Sequence, residues 1–168
     1  MKIKLVLDNI RSCYNVGAIL RSAEGFGVEQ VILSGYTPRV HDKELLPHLR
    51  EKLDREIHKT ALGAEDMLDI YSCGDIISEL KRLREEGWQV VGLENHVENV
   101  PLYNFGSETF NSKLSDKVVL ILGEEVNGIG YSLYDIIDLF VQIPMVGRKE
   151  SFNVSVAAGI ALYALVQK

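Results

Sequence analysis

Three stretches of the chain carry polar side chains at spacings that suit chemistry on an anionic substrate. The first is NVGAILRSAEGFGV, Asn15 to Val28. Val16, Ile19, Leu20 and Ala23 fall at i, i+3, i+4 and i+7, which predicts an amphipathic helix over 16–24 with Asn15 as its cap. A helix start presents free backbone N–H groups that favour an anion. Gly17 and Arg21 share a face four residues apart, and helical side chains lean toward the N-terminus. Arg21 is therefore expected to reach back to the same anion, as an arginine fork suits phosphate. Gly17 is expected to leave room for a ligand backbone. Alone, the segment also reads as an ordinary capped helix with a solvated arginine.

The second stretch is LILGEEVNGIG, Leu120 to Gly130. An apolar run ends in Gly123, then Glu124, then a glycine-rich turn with Asn127. Two nucleotide fingerprints fail here on residue identity. Gly123 and Gly128 are followed by Ile129, where a phosphate-binding loop needs lysine, and the GxGxxG begun by Gly128 and Gly130 meets Leu133. The third stretch is IPMVGRKESFNVSVAAGIALYAL, Ile143 to Leu165. Ser151, Asn153 and Ser155 alternate with Phe152, Val154 and Val156. The polar set can line a pocket while the apolar set anchors the loop. Asn153 introduces a final helix whose Ala157, Ala161 and Ala164 share a face and permit close backbone approach.

These stretches need a frame. Strands are expected at 3–7, 30–33, 89–93, 118–122 and 139–143, the last halted by Pro144, and helices at 42–58, 76–86 and 154–167. Strands alternating with helices predict an α/β fold with a mainly parallel sheet and helices on both faces. Such sheets bind ligands beyond the carboxyl ends of their strands, where all three stretches lie. A length of 168 residues without a visible linker predicts one domain over 1–168, with no second domain.

Composition narrows the function. Eighteen basic residues against twenty-four acidic give a net charge of −6, which argues against a generic polycation but leaves room for a local basic patch. Cys13 and Cys73 are the only cysteines, sixty residues apart, which argues against a zinc module or a disulfide scaffold and fits a reducing cytoplasm. The longest apolar tract, 154–166, is too short to span a bilayer. Arg11, Arg39, Arg148 and Lys149 fall in loops beside the three stretches and are expected to form a local basic rim that leaves site-specific RNA or DNA contact open, with the segment 41–59 a solvated helical face.

Together and in this order, the stretches resemble the three motifs of the SpoU (TrmH-like) branch of the SPOUT RNA methyltransferases. The first supplies Asn15, Gly17 and Arg21. The second supplies Gly123, Glu124, Asn127 and Gly128. The third supplies Ile143, Pro144, Met145, Gly147, Ser151, Asn153, Val154 and Ser155. KTALGAE, Lys59 to Glu65, resembles a segment common between the first two. The resemblance implies a C-terminal deep trefoil knot, S-adenosylmethionine as methyl donor and a ribose 2′-hydroxyl of tRNA or rRNA as acceptor, with tRNA favoured. It implies a homodimer, no metal and a site near the subunit interface. Arg21 would be the main catalytic residue, supported by Asn15, Glu124, Ser151 and Asn153. Leu93, Gly123, Ile143, Met145 and Phe152 would hold the cofactor. Two other readings remain: a catalytically silent knotted dimer that binds RNA or a protein, and another α/β enzyme acting on a small nucleotide. The intact set of motif residues speaks against the former, and the missing nucleotide fingerprints against the latter.

Overall fold

The computed structural model describes residues 1–95, 100–101 and 113–167. Seven parallel strands form one sheet in the order β3-β2-β1-β6-β4-β7-β5. They are β1 (Lys2–Asp8), β2 (Gln30–Ser34), β3 (Ile70–Ser72), β4 (Gln89–Leu93), β5 (Val100–Pro101), β6 (Lys117–Leu122) and β7 (Leu139–Gln142). The helices are α1 (Cys13–Gly25), α2 (Pro47–Ala61), α3 (Ile76–Glu85) and α4 (Val154–Val166), with short 3₁₀ turns at Ala64–Asp66 and Tyr131–Ile136.

Side-chain alternation divides the core. Ile3, Leu5 and Leu7 of β1 and Leu120 and Leu122 of β6 face one layer, where they meet α1, α2 and α4. Val6, Val119 and Ile121 face the other, against Leu80 and Leu83 of α3 and the turn at 131–136. A strand covered on both faces must be apolar throughout, and Val118 to Leu122 are all buried. β6 is thus the sheet's central strand, and its carboxyl end delivers Gly123 and Glu124 to the rim.

Several local features depart from the sequence expectation. α1 begins at Cys13, and its cap is Ser12, whose Oγ accepts the Asn15 N–H at 3.3 Å. Asn15 is therefore inside the first turn, not the cap. Cys13 and Val16 both bury, so the apolar face starts earlier than the periodicity alone indicates. Gly17 makes room for no ligand. A Cβ there would run into the Ile57 carbonyl oxygen and the Thr60 hydroxyl, so the glycine serves the close crossing of α1 and α2. α2 starts at Pro47, where fixed φ suits the first helical position, and 42–46 stays outside it. β3 was not foreseen, since three residues carry no readable period; it exists because it pairs with β2.

Candidate functional site

A cleft opens beyond the carboxyl ends of β4, β6 and β7. Its walls include Leu93, Leu122, Ile143, Phe152, Val154 and Ala157, with Glu94, Asn95, Gly123, Glu124, Glu125, Ser151 and Asn153 adding polar edges. Of the residues expected to hold a cofactor, Leu93, Gly123, Ile143 and Phe152 line it. Met145 stands outside that lining, half-buried, and Val146 after it is fully exposed.

The turn after β6 is closed tightly. Glu124 and Gly128 exchange backbone hydrogen bonds of 3.0 and 2.9 Å, and Gly128 takes φ +67°. A Cβ on Gly123 would run into the Gly128 backbone, so the close return of the turn needs glycine there. Glu124 receives Asn127 Nδ2 at 2.6 Å and Arg11 NH2 at 2.5 Å. The Asn127 bond, with help from Tyr36 and Arg11, holds its carboxyl below the usual carboxylate range. So held, Glu124 is a weak proton acceptor at neutral pH, and its contacts order the turn.

The start of α1 is occupied from within the chain. Glu125 accepts the backbone N–H of Arg11 at 3.2 Å, that of Ser12 at 3.4 Å, and Asn15 Nδ2 at 3.0 Å. Burial alone would raise its pKa, yet these hydrogen bonds win and the group is held low. The anion expected at this helix start is thus the protein's own carboxylate. Arg21 does not reach it: nine residues past the cap, it lies about 13 Å along the axis. Glu125 escaped the sequence reading, which singled out its neighbour Glu124. One signal was available, for α1 carries no acidic residue in its own first turn to meet its dipole.

Asn153 links the last segment to the first. Its Nδ2 donates to Asn15 Oδ1 at 3.2 Å, while its Oδ1 caps α4 through Ser155 N at 2.8 Å and Ser155 Oγ at 2.7 Å. Two buried or part-buried residues missed in the sequence complete the frame. Glu94 Oε2 accepts the Ile129 N–H at 3.1 Å, and Asn95 Nδ2 donates to the Glu150 carbonyl oxygen at 3.1 Å. The three motif loops are therefore tied to one another and to the end of β4.

The remaining expected residues divide. Ser151 lines the cleft. Arg21 is exposed, outside the lining, and has no hydrogen-bond or ion-pair partner among the described residues. Arg11 is paired with Glu124, and Arg39 with Asp42 at 3.9 Å and Glu44 at 3.4 Å, so half the expected basic rim is neutralised internally. Arg148 and Lys149 are exposed. In the segment 41–59, His41 lies between Asp54 and Asp66, and His58 meets the buried Glu65 at 2.5 Å, so two of its basic groups face carboxylates. No group of His, Cys, Asp and Glu among the described residues is placed to hold a metal, and no described helix is long and apolar enough to cross a membrane.

Comparison with known proteins gives the same frame. Residues 2–163 match the SpoU rRNA Methylase family. A curated relative, the 23S rRNA (guanosine-2′-O-)-methyltransferase RlmB of Xylella fastidiosa, is 33% identical over 164 residues, covering 98% of this chain and 58% of its own length. The chain thus spans rather more than half of that relative. Among solved structures, an AdoMet-bound rRNA methyltransferase from Sinorhizobium meliloti superposes with a TM-score of 0.79 at 23% identity, covering 99% of this chain and 56% of the other. A protein described for 2-OH methylation of C/U34 on tRNA gives 0.75 at 20% identity, covering 99% and 98%.

Proposed function

The chain belongs to the SpoU rRNA Methylase family, and from that premise we propose that it transfers a methyl group from S-adenosylmethionine to a ribose 2′-hydroxyl of RNA. One observation carries the proposal. Asn15 and Asn153, 138 residues apart in sequence, meet at 3.2 Å beside the cleft and bring the first and third motifs together. The cleft's chemistry fits the donor. Leu93, Leu122, Ile143 and Phe152 offer apolar walls to a purine, and strand ends offer backbone donors and acceptors. Glu94 and Glu124 give the cleft an acidic edge suited to a cationic ligand.

Bound S-adenosylmethionine supplies a methyl on a sulfonium that carries its own leaving group. The protein's task is then alignment of a ribose hydroxyl, worth up to about 7–11 kcal/mol. Arg21 clamps the adjacent phosphate; a guanidinium is effectively always protonated, which suits a clamp better than a proton acceptor. Asn15, Ser151 and Asn153 fix the approach, and Glu124 and Glu125 keep the loops in place.

The sequence reading leaned toward tRNA. The curated relative is named for 23S rRNA, and the acceptor proposed here is accordingly rRNA. A homodimer in the cytoplasm is part of the same reading. Val156, Ile160 and Tyr163 form an apolar stripe along α4, exposed at 49%, 36% and 58%, which Phe152, 41% exposed, continues just before the helix. The stripe runs from the cleft and suits a second copy. Arg21 lies outside its own chain's cleft lining, as a residue serving a site at a subunit interface would. We read residues 1–168 as one methyltransferase domain with a C-terminal knot. Supporting the knot, β7 lies between β4 and β5, and the segment after it is tied back to Asn95 and Asn15.

The test is radiolabelled methyl transfer to unmodified rRNA and, separately, tRNA, followed by nucleoside digestion. Wild type should yield a 2′-O-methylnucleoside from rRNA. Arg21→Ala should lose at least about a hundredfold in rate while still binding S-adenosylmethionine. Cofactor binding without transfer to either pool would favour the silent RNA-binding reading, and absent cofactor binding would overturn the assignment.

A further inference from the structure

A seam between α1 and α2 carries cations of a different kind from those at the cleft. Thr60 Oγ1 donates to the Tyr14 carbonyl oxygen at 2.9 Å, beside the close crossing at Gly17. This fixes the last turn of α2 against the first turn of α1. Across the junction Lys59 reaches Tyr14: its ammonium donates to the phenol oxygen at 3.3 Å and stands 5.6 Å from the ring centre. Arg21 lies on the same face of α1, seven residues and about 10 Å beyond Tyr14. Tyr14 also adjoins Asn15, which belongs to the network at the cleft mouth.

Two contrasts give this seam meaning. Arg11 and Arg39 are held by carboxylates, whereas neither Lys59 nor Arg21 has a carboxylate partner among the described residues. A lysine in the last turn of a helix ordinarily complements its own open carbonyls. Lys59 instead is oriented by a tyrosine of another helix, through one of its three donors and the ring face. Lys4 and Lys117 are likewise set over an aromatic ring, that of Trp88, without a carboxylate partner among the described residues. What distinguishes Lys59 is its place, on the residue next to Asn15 of the cleft network.

We propose that this seam, with Lys59 oriented by Tyr14 and Arg21 two turns further along α1, is a track for the RNA sugar–phosphate backbone flanking the methylated nucleotide. The inference rests on the RNA methyltransferase reading and extends it by two residues, Lys59 as a phosphate ligand and Tyr14 as its positioning residue. Each phosphate contact removed lowers the slope of log affinity against log salt by about 0.7–0.9.

The experiment measures binding of an unmodified rRNA transcript across a potassium chloride series, with S-adenosylmethionine affinity measured beside it. Lys59→Gln should weaken RNA binding several-fold at low salt and flatten the slope by about 0.7–0.9, with cofactor affinity unchanged. Lys59→Arg should keep the slope, which separates charge from folding. Tyr14→Phe should weaken binding less and leave the slope nearly intact. Wild type that binds and methylates RNA, with an unaltered slope in Lys59→Gln, overturns the seam alone. Wild type that neither binds nor methylates RNA overturns the function and the seam with it.

Discussion

At the cleft, polar side chains satisfy one another: Asn153 holds Asn15, Asn15 holds Glu125, and Glu124 gathers Asn127 and Arg11. Along the α1–α2 seam and the outer face of α4, Arg21 and Lys59 meet no carboxylate among the described residues, and Val156, Ile160 and Tyr163 face solvent. The difference separates two tasks. Aligning a poor nucleophile requires groups already fixed before the substrate arrives, since misplacement by 1 Å can cost about a hundredfold. Engaging a polyanion or a second subunit requires surfaces still in want of a partner. On the proposed reading, the self-satisfied groups form the reaction centre and the unpartnered surfaces receive macromolecules.

Gly17 sits at the α1–α2 crossing that carries the seam, and changing it should have the largest effect. Gly→Ala inside a helix ordinarily gains up to about 1 kcal/mol. Here the added methyl would enter the Ile57 carbonyl and the Thr60 hydroxyl. Gly17→Ala should therefore destabilise the fold by about 1–3 kcal/mol, read from urea midpoints, and should weaken RNA binding through the displaced Lys59. A stability gain would mean that the crossing is loose and the seam is not a fixed surface. Ile160→Glu tests the other open face. The exposed position should cost each chain less than about 0.5 kcal/mol, while the dimer proposed above should dissociate to monomer in sedimentation. An unchanged dimer would place the subunit contact elsewhere.

The same contrast explains what was legible in the sequence. Val118 to Leu122 read as a buried central strand because burial on both faces demands an unbroken apolar run, and they are such a strand. The helix expected over 76–86 is α3, whose Leu80 and Leu83 bury against the sheet. The start of α1 was misplaced because Asn15 is a good cap by type, whereas Ser12 holds the position by geometry. At the site, periodicity could offer only lone motifs. The pairing of Asn15 with Asn153 depends on how the sheet orders its strands, and no local spacing encodes it. The family resemblance placed both residues at one site. Both routes singled out Glu124 and passed over Glu125, since adjacent carboxylates differ only in which partners the turn brings to them.

Glu125 gives the smallest and most specific test of the closed region. Its carboxylate accepts three N–H groups at the start of α1, which hold its pKa below the 4.5 of a free glutamate. A depressed folded pKa contributes stability that is present above the unfolded value and is lost as pH falls through the folded one. Hydrogen bonds to a charged group are worth about 1.5–3 kcal/mol when buried, and the partial exposure here points to the lower end. Glu125→Gln keeps the shape and removes the charge. Its melting temperature should lie below wild type at pH 7, and the gap should narrow once the pH drops under about 4.5 as the wild-type carboxyl takes up its proton. A gap that stays constant down to pH 3 would show that amide geometry, not carboxylate charge, secures the helix start, and the cleft's order would then rest on Asn15 and Asn153 alone.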